Sequence, residues 1–282
     1  MMQTSAPTNM SENEPDLPVR GLGLMMMRDI SGGLRMSRYA AKLAWTDIRL
    51  RYKGSFLGPL WLTLSFAVMV VAMGIVYARL FQIDLVGYLP YTAISFAIWF
   101  SWFSPVVMES CGCFTAARAQ IFAAKLPLTV QILRTLMRNS LALAHVIPVP
   151  IAVFIWFGIA LKPMALWSLA GMAVWAVDGF AVCMVFGSIC ARYRDIPQII
   201  GAVMQIAFYV TPIIWQPEQL GEDSRWLRLN PLFSLLTIVR APLLGAMPRA
   251  ENYIVAILFS LVLIGLALIV FRAARSKIPY WI

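Results

Sequence analysis

Charge is scarce in this chain, and acidic charge most of all: 13% of its 282 residues are charged, with 13 acids against 23 bases and a single histidine. A soluble domain carries roughly 25% charged residues, and 61% of this chain is hydrophobic. A water-soluble globular protein is therefore excluded, and a polytopic membrane protein is the class that remains. One histidine and four cysteines also leave too few ligands for a metal centre. Cys111 and Cys113 sit near a membrane boundary and Cys183 and Cys190 in or at the end of one apolar run, so they read as small packing residues. No Gly-x-x-x-x-Gly-Lys-Ser/Thr phosphate loop occurs, and the acids at membrane depth are too sparse for a proton relay. Nothing in the chain can power transport by itself. No cleavable leader is expected, because the first apolar patch, Leu22 to Met27, is short and is followed by Arg28 and Asp29. No internal repeat is visible, which argues against a single-chain secondary transporter.

What the chain has in quantity is long apolar runs. Six are long enough to cross a bilayer, over about 57–77, 88–108, 140–161, 166–189, 199–215 and 253–271. A seventh, Leu232 to Leu244, is too short and is interrupted by Arg240 and Pro242, so it predicts an outer re-entrant or interfacial hairpin. The expected fold is all-α, with six transmembrane helices, an N-terminal amphipathic interface helix and that hairpin between spans five and six. Residues 1–35 read as a disordered cytosolic tail, 36–275 as the membrane domain and 276–282 as a cytosolic C-terminal end.

The stretch Arg51-Tyr-Lys-Gly-Ser-Phe-Leu-Gly-Pro-Leu-Trp61 divides a basic arm from the first apolar run. At 100° per residue, Arg38, Lys42, Arg49 and Lys53 fall on one stripe with apolar residues on either side, which predicts a helix lying flat on the membrane surface. Gly54 and Gly58 fit either a close helix crossing or a hinge at the point of entry. With both ends inside, 17 of the 23 Lys and Arg lie in inner segments. That asymmetry sets the orientation, and the net charge of +10 is thereby assigned to anionic lipid rather than to nucleic acid.

Two inner segments are candidates for meeting a soluble partner. Thr115 to Pro127 combines helix formers, Arg118, Lys125 and a proline stop. Ala191 to Ile199 is a tight turn in which Asp195 can pair with Arg192 or Arg194 or cap the next helix. In the spans, Trp61, Phe66, Phe96, Trp99, Phe100, Trp102, Phe103, Phe208 and Tyr209 offer flat faces over which sugar rings could slide, although aromatics also gather at bilayer interfaces for other reasons. Asp178 lies near membrane depth, where an acid marks either a pathway or a buried pair. Glu109 reads as a headgroup-level acid near Arg118 or Arg192, and His145 as a hydrogen-bonded packing residue.

The ordered set Arg51 to Trp61, Leu126-Pro127, Arg192-Tyr-Arg-Asp-Ile196, Thr211-Pro-Ile213 and Asn230-Pro231 resembles the permease subunit of type-2 ABC exporters, specifically those for O-antigen, capsule and related polysaccharides. The resemblance runs over residues 36 to 275. It implies a homodimer in the bacterial inner membrane with both termini cytosolic, seated on two copies of an ABC ATPase that binds ATP and Mg. It further implies a channel for a polymer on a lipid carrier, often undecaprenyl diphosphate. Carried over by position, it places ATPase coupling at Arg38, Lys42, Arg118, Phe122, Lys125, Arg192, Arg194 and Asp195. It places the outer gate within Glu218 to Met247, with Trp226, Asn230, Pro231 and Arg240, and no cofactor in this chain. Competing readings are a permease for a small lipid or drug, which a long outer soluble insertion would favour, and a membrane enzyme acting on lipid-linked sugars, which would want paired acids at the outer interface. A scaffold without substrate is a third.

Overall fold

The computed structural model describes residues 19–124 and 126–282; the first 18 residues of the expected tail, and Lys125, lie outside the described residues. Among the described residues there is no strand. Five helical stretches are long and apolar enough to cross a membrane: α3 (Leu60–Leu80); α4 (Leu85–Ile98), which runs through a π-helical turn (Trp99–Phe103) into α5 (Ser104–Ser110); α7 (Leu128–Val146) with α8 (Pro148–Trp156); α9 (Trp167–Arg192); and α12 (Ala250–Ala274). The remaining elements are α1 (Val19–Arg35), α2 (Ser37–Arg51), α6 (Arg118–Ala124), α10 (Ile196–Val210), α11 (Pro231–Leu243) and α13 (Ile278–Trp281). A 3₁₀ stretch, Pro217–Leu229, precedes α11.

α4 is the centre of the bundle, with every residue from Tyr88 to Trp99 buried. A helix buried all round has no polar face, and its two hydroxyl residues meet their needs locally: Thr92 Oγ1 donates to Tyr88 O and Ser95 Oγ to Tyr91 O. Around it α12 packs on α9, α11 on both, and α3 on α4 and α7. Between apolar helices in lipid the gain comes from close packing and interhelical hydrogen bonds rather than from excluding water. The π turn carries the aromatic run Trp-Phe-Ser-Trp-Phe, whose Phe103 meets Trp175 of α9 edge to face at 4.8 Å.

Three sequence expectations change. The third run does not begin at Ser140: α7 starts at Leu128, so Arg134 and Arg138 lie in the same helix as the apolar run and not in a loop. The fifth run, expected over 199–215, is a 15-residue helix that ends at Val210, where Thr211 turns extended and Pro212 follows. The tail expected over 1–35 is helical from Val19 onward, because α1 has partners. Met26, Asp29, Ile30 and Gly33 recur on one helical face, and Met26, Asp29 and Gly33 are buried. A Cβ on Gly33 would come within 2.4 Å of Thr129, so the approach of α1 to the start of α7 requires glycine there.

Asp29 makes that approach specific. Its carboxylate accepts from Leu128 N at 3.1 Å, Thr129 N at 3.0 Å and Thr129 Oγ1 at 2.8 Å, capping α7, and from Arg275 Nε at 3.1 Å beyond the end of α12. The helix entry thus receives its acceptor from a different helix. The Gly54 and Gly58 alternatives resolve as well. Both have positive φ, +85° and +54°, and a Cβ on either would meet open space, so in this chain they form a turn between α2 and α3 and not a helix crossing.

Asp29→Ala would leave two buried N–H groups and Arg275 without their acceptor. Its expected cost is about 2 to 4 kcal/mol, with Asp29→Asn in between, measured as loss of thermal stability in detergent. An unchanged melting temperature for Asp29→Ala would show that α1 is not held by this contact.

Candidate functional site

The helices gather charge at one end of the bundle. There α2 supplies Asp47 and Arg51, α5 supplies Glu109, α6 supplies Gln120, and α7 supplies Gln131, Arg134, Arg138 and Asn139. Arg134 grips Asp47 with two bonds, Nε at 2.7 Å and Nη2 at 2.5 Å, and Arg138 Nη1 reaches the same carboxylate at 3.0 Å. Arg138 turns its other edge to Glu109, at 3.0 and 2.6 Å, and Glu109 also accepts from Asn139 at 2.8 Å and Arg51 at 3.4 Å. Arg134 Nη1 donates to Gln120 Oε1 at 2.7 Å, which brings α6 into the same network. Bidentate guanidinium pairs fix direction as well as distance, so the four helices are held in one register. Burial alone would raise the pKa of Asp47, but hydrogen bonds and charge from Arg134 and Arg138 outweigh it and hold the carboxyl below its ordinary value. A cavity of about 240 Å³ lies beside the network, lined by Met108, Glu109, Gln131, Arg134 and Arg138 among others.

The residues expected to meet a partner lie around this network and do not take part in it. Arg38 and Lys42 are exposed on α2, opposite buried Ala40, Ala44 and Ile48. Arg118 and Phe122 are exposed on α6, with the guanidinium 5.9 Å from the ring centre. Arg192, Arg194 and Asp195 are exposed at the turn between α9 and α10. Arg192 lies over Tyr193 at 5.5 Å and over Trp281 of α13 at 5.2 Å, so the C-terminal helix braces that turn. Asp195 occupies the N-cap position of α10 without a side-chain capping bond. Glu109 does not pair with Arg118 or Arg192: Arg138 of α7 takes it, with Nε and Nη2 both donating to Oε2.

Of the flat aromatic faces, Phe66, Phe96, Trp99, Trp102 and Phe103 are core side chains within this chain, because the π turn and α4 lie at the bundle centre. Phe100, Phe208 and Tyr209 keep exposed surface and cluster, with Phe100 to Phe208 at 5.2 Å, and Trp61 is exposed on α3. Asp178 is buried midway along α9 against Ser260 of α12. Ser260 Oγ lies 3.0 Å from Asp178 Oδ2 and 2.9 Å from Ala256 O, yet has one hydrogen to give. The other carboxylate oxygen of Asp178, Oδ1, is buried without a hydrogen-bond partner among the described residues. His145 bonds Leu141 O through Nδ1, as a packing residue would.

At the opposite end, α11 docks through Trp175 Nε1 to Leu235 O at 2.9 Å. Asn230 Oδ1 caps α11 by accepting from Leu232 N and Phe233 N, with Pro231 at the first helical position. Trp226 is exposed on the 3₁₀ stretch. Arg240, 3% exposed, donates from Nη1 to Ser95 Oγ at 3.0 Å and Pro212 O at 2.6 Å and lies 4.2 Å from the centre of the Tyr91 ring. Tyr91 donates toward Pro212 O and Trp215 O, and Tyr88 donates to Ile214 O. The unwound segment after α10 therefore has its carbonyls bound by α4 and α11. Tyr88, Tyr91, Asp47 and Asp29 carry this architecture and none was singled out from the sequence. A tyrosine pair three apart in an apolar run was the available signal for the first two.

Two outcomes test these arrangements. Asp47 has a depressed pKa in the folded chain, so its contribution is present above the ordinary carboxylate pKa, roughly 4, and is lost as pH falls through the lower folded value. Asp47→Asn is expected to melt lower at pH 7 and to converge on the unsubstituted chain in acid; parallel pH profiles would remove Asp47 from the account. Asp178→Asn, an uncharged isostere, is expected to change stability by no more than about 1 kcal/mol in detergent melts. A large loss would mean that the carboxylate serves as a charge.

No family model matches the chain. Three curated proteins named O-antigen export system permease protein RfbA are similar to it. One from Klebsiella pneumoniae is 24% identical over 226 residues, covering 79% of this chain and 87% of that protein. A second from Klebsiella pneumoniae is 23% identical over 192 residues, covering 67% and 74%. One from Myxococcus xanthus is 22% identical over 243 residues, covering 83% and 92%. The likenesses agree with the order of motifs in the sequence and support reading the chain as a transmembrane permease of an O-antigen export system, a transport component.

Proposed function

We propose that the chain forms, with a second copy of itself, the membrane channel of an ATP-driven exporter for a lipid-linked polysaccharide in a bacterial inner membrane. Two copies of a separate ABC ATPase supply the energy. In this reading α10 makes the sixth crossing, α2 lies at the inner membrane surface, both chain ends are cytosolic, and the 3₁₀ stretch with α11 forms a re-entrant outer gate. The lipid carrier is undecaprenyl diphosphate or a relative of it.

The observation that carries the proposal is the geometry of α6. This short helix presents Arg118 and Phe122 outward, while Gln120 ties it through Arg134 to Asp47 of α2. A push received on the exposed face of α6 is thereby delivered to α2 and α7 through charge-assisted bonds, the kind of rigid path that coupling to a soluble motor requires. Export-system permeases similar over most of the chain supply the context.

The combined reversal Arg118→Glu and Lys125→Glu should abolish capture of the ATPase and polymer export while leaving membrane insertion intact. Removing a charge-assisted hydrogen bond from a desolvated interface costs about 1.5 to 3 kcal/mol. Capture on the tagged permease and polymer export are measured in the same cells. Normal capture and normal export would reject α6 as the coupling helix.

A further inference from the structure

A cavity of about 800 Å³ opens at the end of the bundle opposite the charged network. Its lining includes Tyr91 of α4, Thr237, Arg240 and Ala241 of α11, Glu218 of the 3₁₀ stretch, and Arg249 and Asn252 at the start of α12. That volume lies within the range of small-molecule sites, about 300 to 1,000 Å³. The architecture of the hairpin explains why Arg240 is near α4, but it does not use the whole guanidinium.

Arg240 offers five N–H donors. Its two protein hydrogen bonds both leave from Nη1, to Ser95 Oγ and Pro212 O. One face of the group is covered by the Tyr91 ring, and the Tyr91 hydroxyl is already engaged with the carbonyls of Pro212 and Trp215. Among the described residues, no acceptor lies at hydrogen-bond distance from the Nε and Nη2 edge. Arg240 is among the residues that line the cavity. Among the described residues no carboxylate lies within ion-pair distance of Arg240. A buried cation without a counter-ion is costly, and the Nε and Nη2 edge is the fork that receives two oxygens of one anion. The other described charged residues lining the cavity, Arg249 and Glu218, are exposed, so Arg240 is the buried charge on its wall.

We propose that this cavity is a binding site for a phosphate-type oxyanion, held by the Nε and Nη2 edge of Arg240, with Asn252 and Arg249 at its mouth. The group is either the phosphate of a lipid head or a free phosphate compound. The assignment rests on the cavity and Arg240 alone and does not require the exporter reading, because its test reads binding and not export.

The full-length chain is purified in a neutral detergent and mixed separately with inorganic pyrophosphate, phosphatidic acid and, as an uncharged lipid, diacylglycerol. Binding is followed by native mass spectrometry and by the shift in melting temperature. At least one phosphate probe should bind while diacylglycerol does not. Binding of pyrophosphate identifies a soluble ligand, and binding of phosphatidic acid alone identifies a lipid head. Arg240→Gln should weaken binding roughly ten-fold or more, as expected for loss of charge-assisted bonds, whereas Arg28→Gln on α1 should leave it unchanged. Because Arg240 also braces the hairpin, Ala241→Leu provides the independent arm: it adds bulk to the cavity lining next to Arg240 in the chain, keeps the guanidinium, and should abolish binding in a chain that still melts cooperatively. Failure of both phosphate probes to bind the unsubstituted chain, or binding that survives Ala241→Leu, overturns the site.

Discussion

A polar group carried into an apolar bundle has no water to fall back on, and the fold is arranged around finding most such groups a partner inside the protein. Asp29, the Asp47 and Glu109 pair, and Arg240 are the three places where this requirement shapes the chain. At each, a side chain from one helix satisfies a backbone end or an opposite charge on another, and the helices concerned cannot slide without breaking it. Packing holds the apolar middle, but packing between helices in lipid is weakly directional. Direction comes from these polar contacts, which lie toward the two ends of the bundle and leave Asp178 as the buried acid near its middle.

The two ends differ in how they use charge. At one end acids and bases balance closely, and the network binds four helices into a unit with exposed basic residues outside it. At the other, one arginine supports an unwound stretch of backbone, with tyrosines taking the remaining carbonyls. The first arrangement suits transmission of force, because bidentate bonds resist rotation. The second suits a segment that must stay irregular while buried, since the carbonyls of Pro212, Ile214 and Trp215, freed by the break after α10, each have a donor nearby.

Much of this was legible in the sequence where the signal is local. Long apolar runs declare themselves, as does the short helix ending before Pro127 and the basic stripe of α2. What was not legible depended on distant partners. Arg134 and Arg138 fall before the expected third run, because the acids that partner them lie far off in sequence, Asp47 at 87 and 91 positions and Glu109 at 29 from Arg138. The segment after Val19, with its glycines and scattered charge, read as tail because the ligands of Asp29 are 99 and 246 positions distant. Which aromatics lie in the core of the chain was not legible for another reason. The π turn adds a residue to the period and rotates the faces on either side of it, so a fixed 100° step cannot tell which rings point into the core.

The shortness of α10 brings the bilayer itself into the energetics of assembly. Fifteen residues at 1.5 Å each give about 22 Å, against a hydrocarbon thickness of about 30 Å, and the helix exposes Ile199, Val203, Ile206, Tyr209 and Val210. Lipid meeting this surface in the six-crossing arrangement must thin, at fractions of a kcal/mol for every ångström of mismatch. Whatever covers α10 relieves that elastic strain. Membrane thickness would then act as a lateral force favouring any packing partner along this edge, and the strength of that force would vary with the acyl chain length of the surrounding lipid.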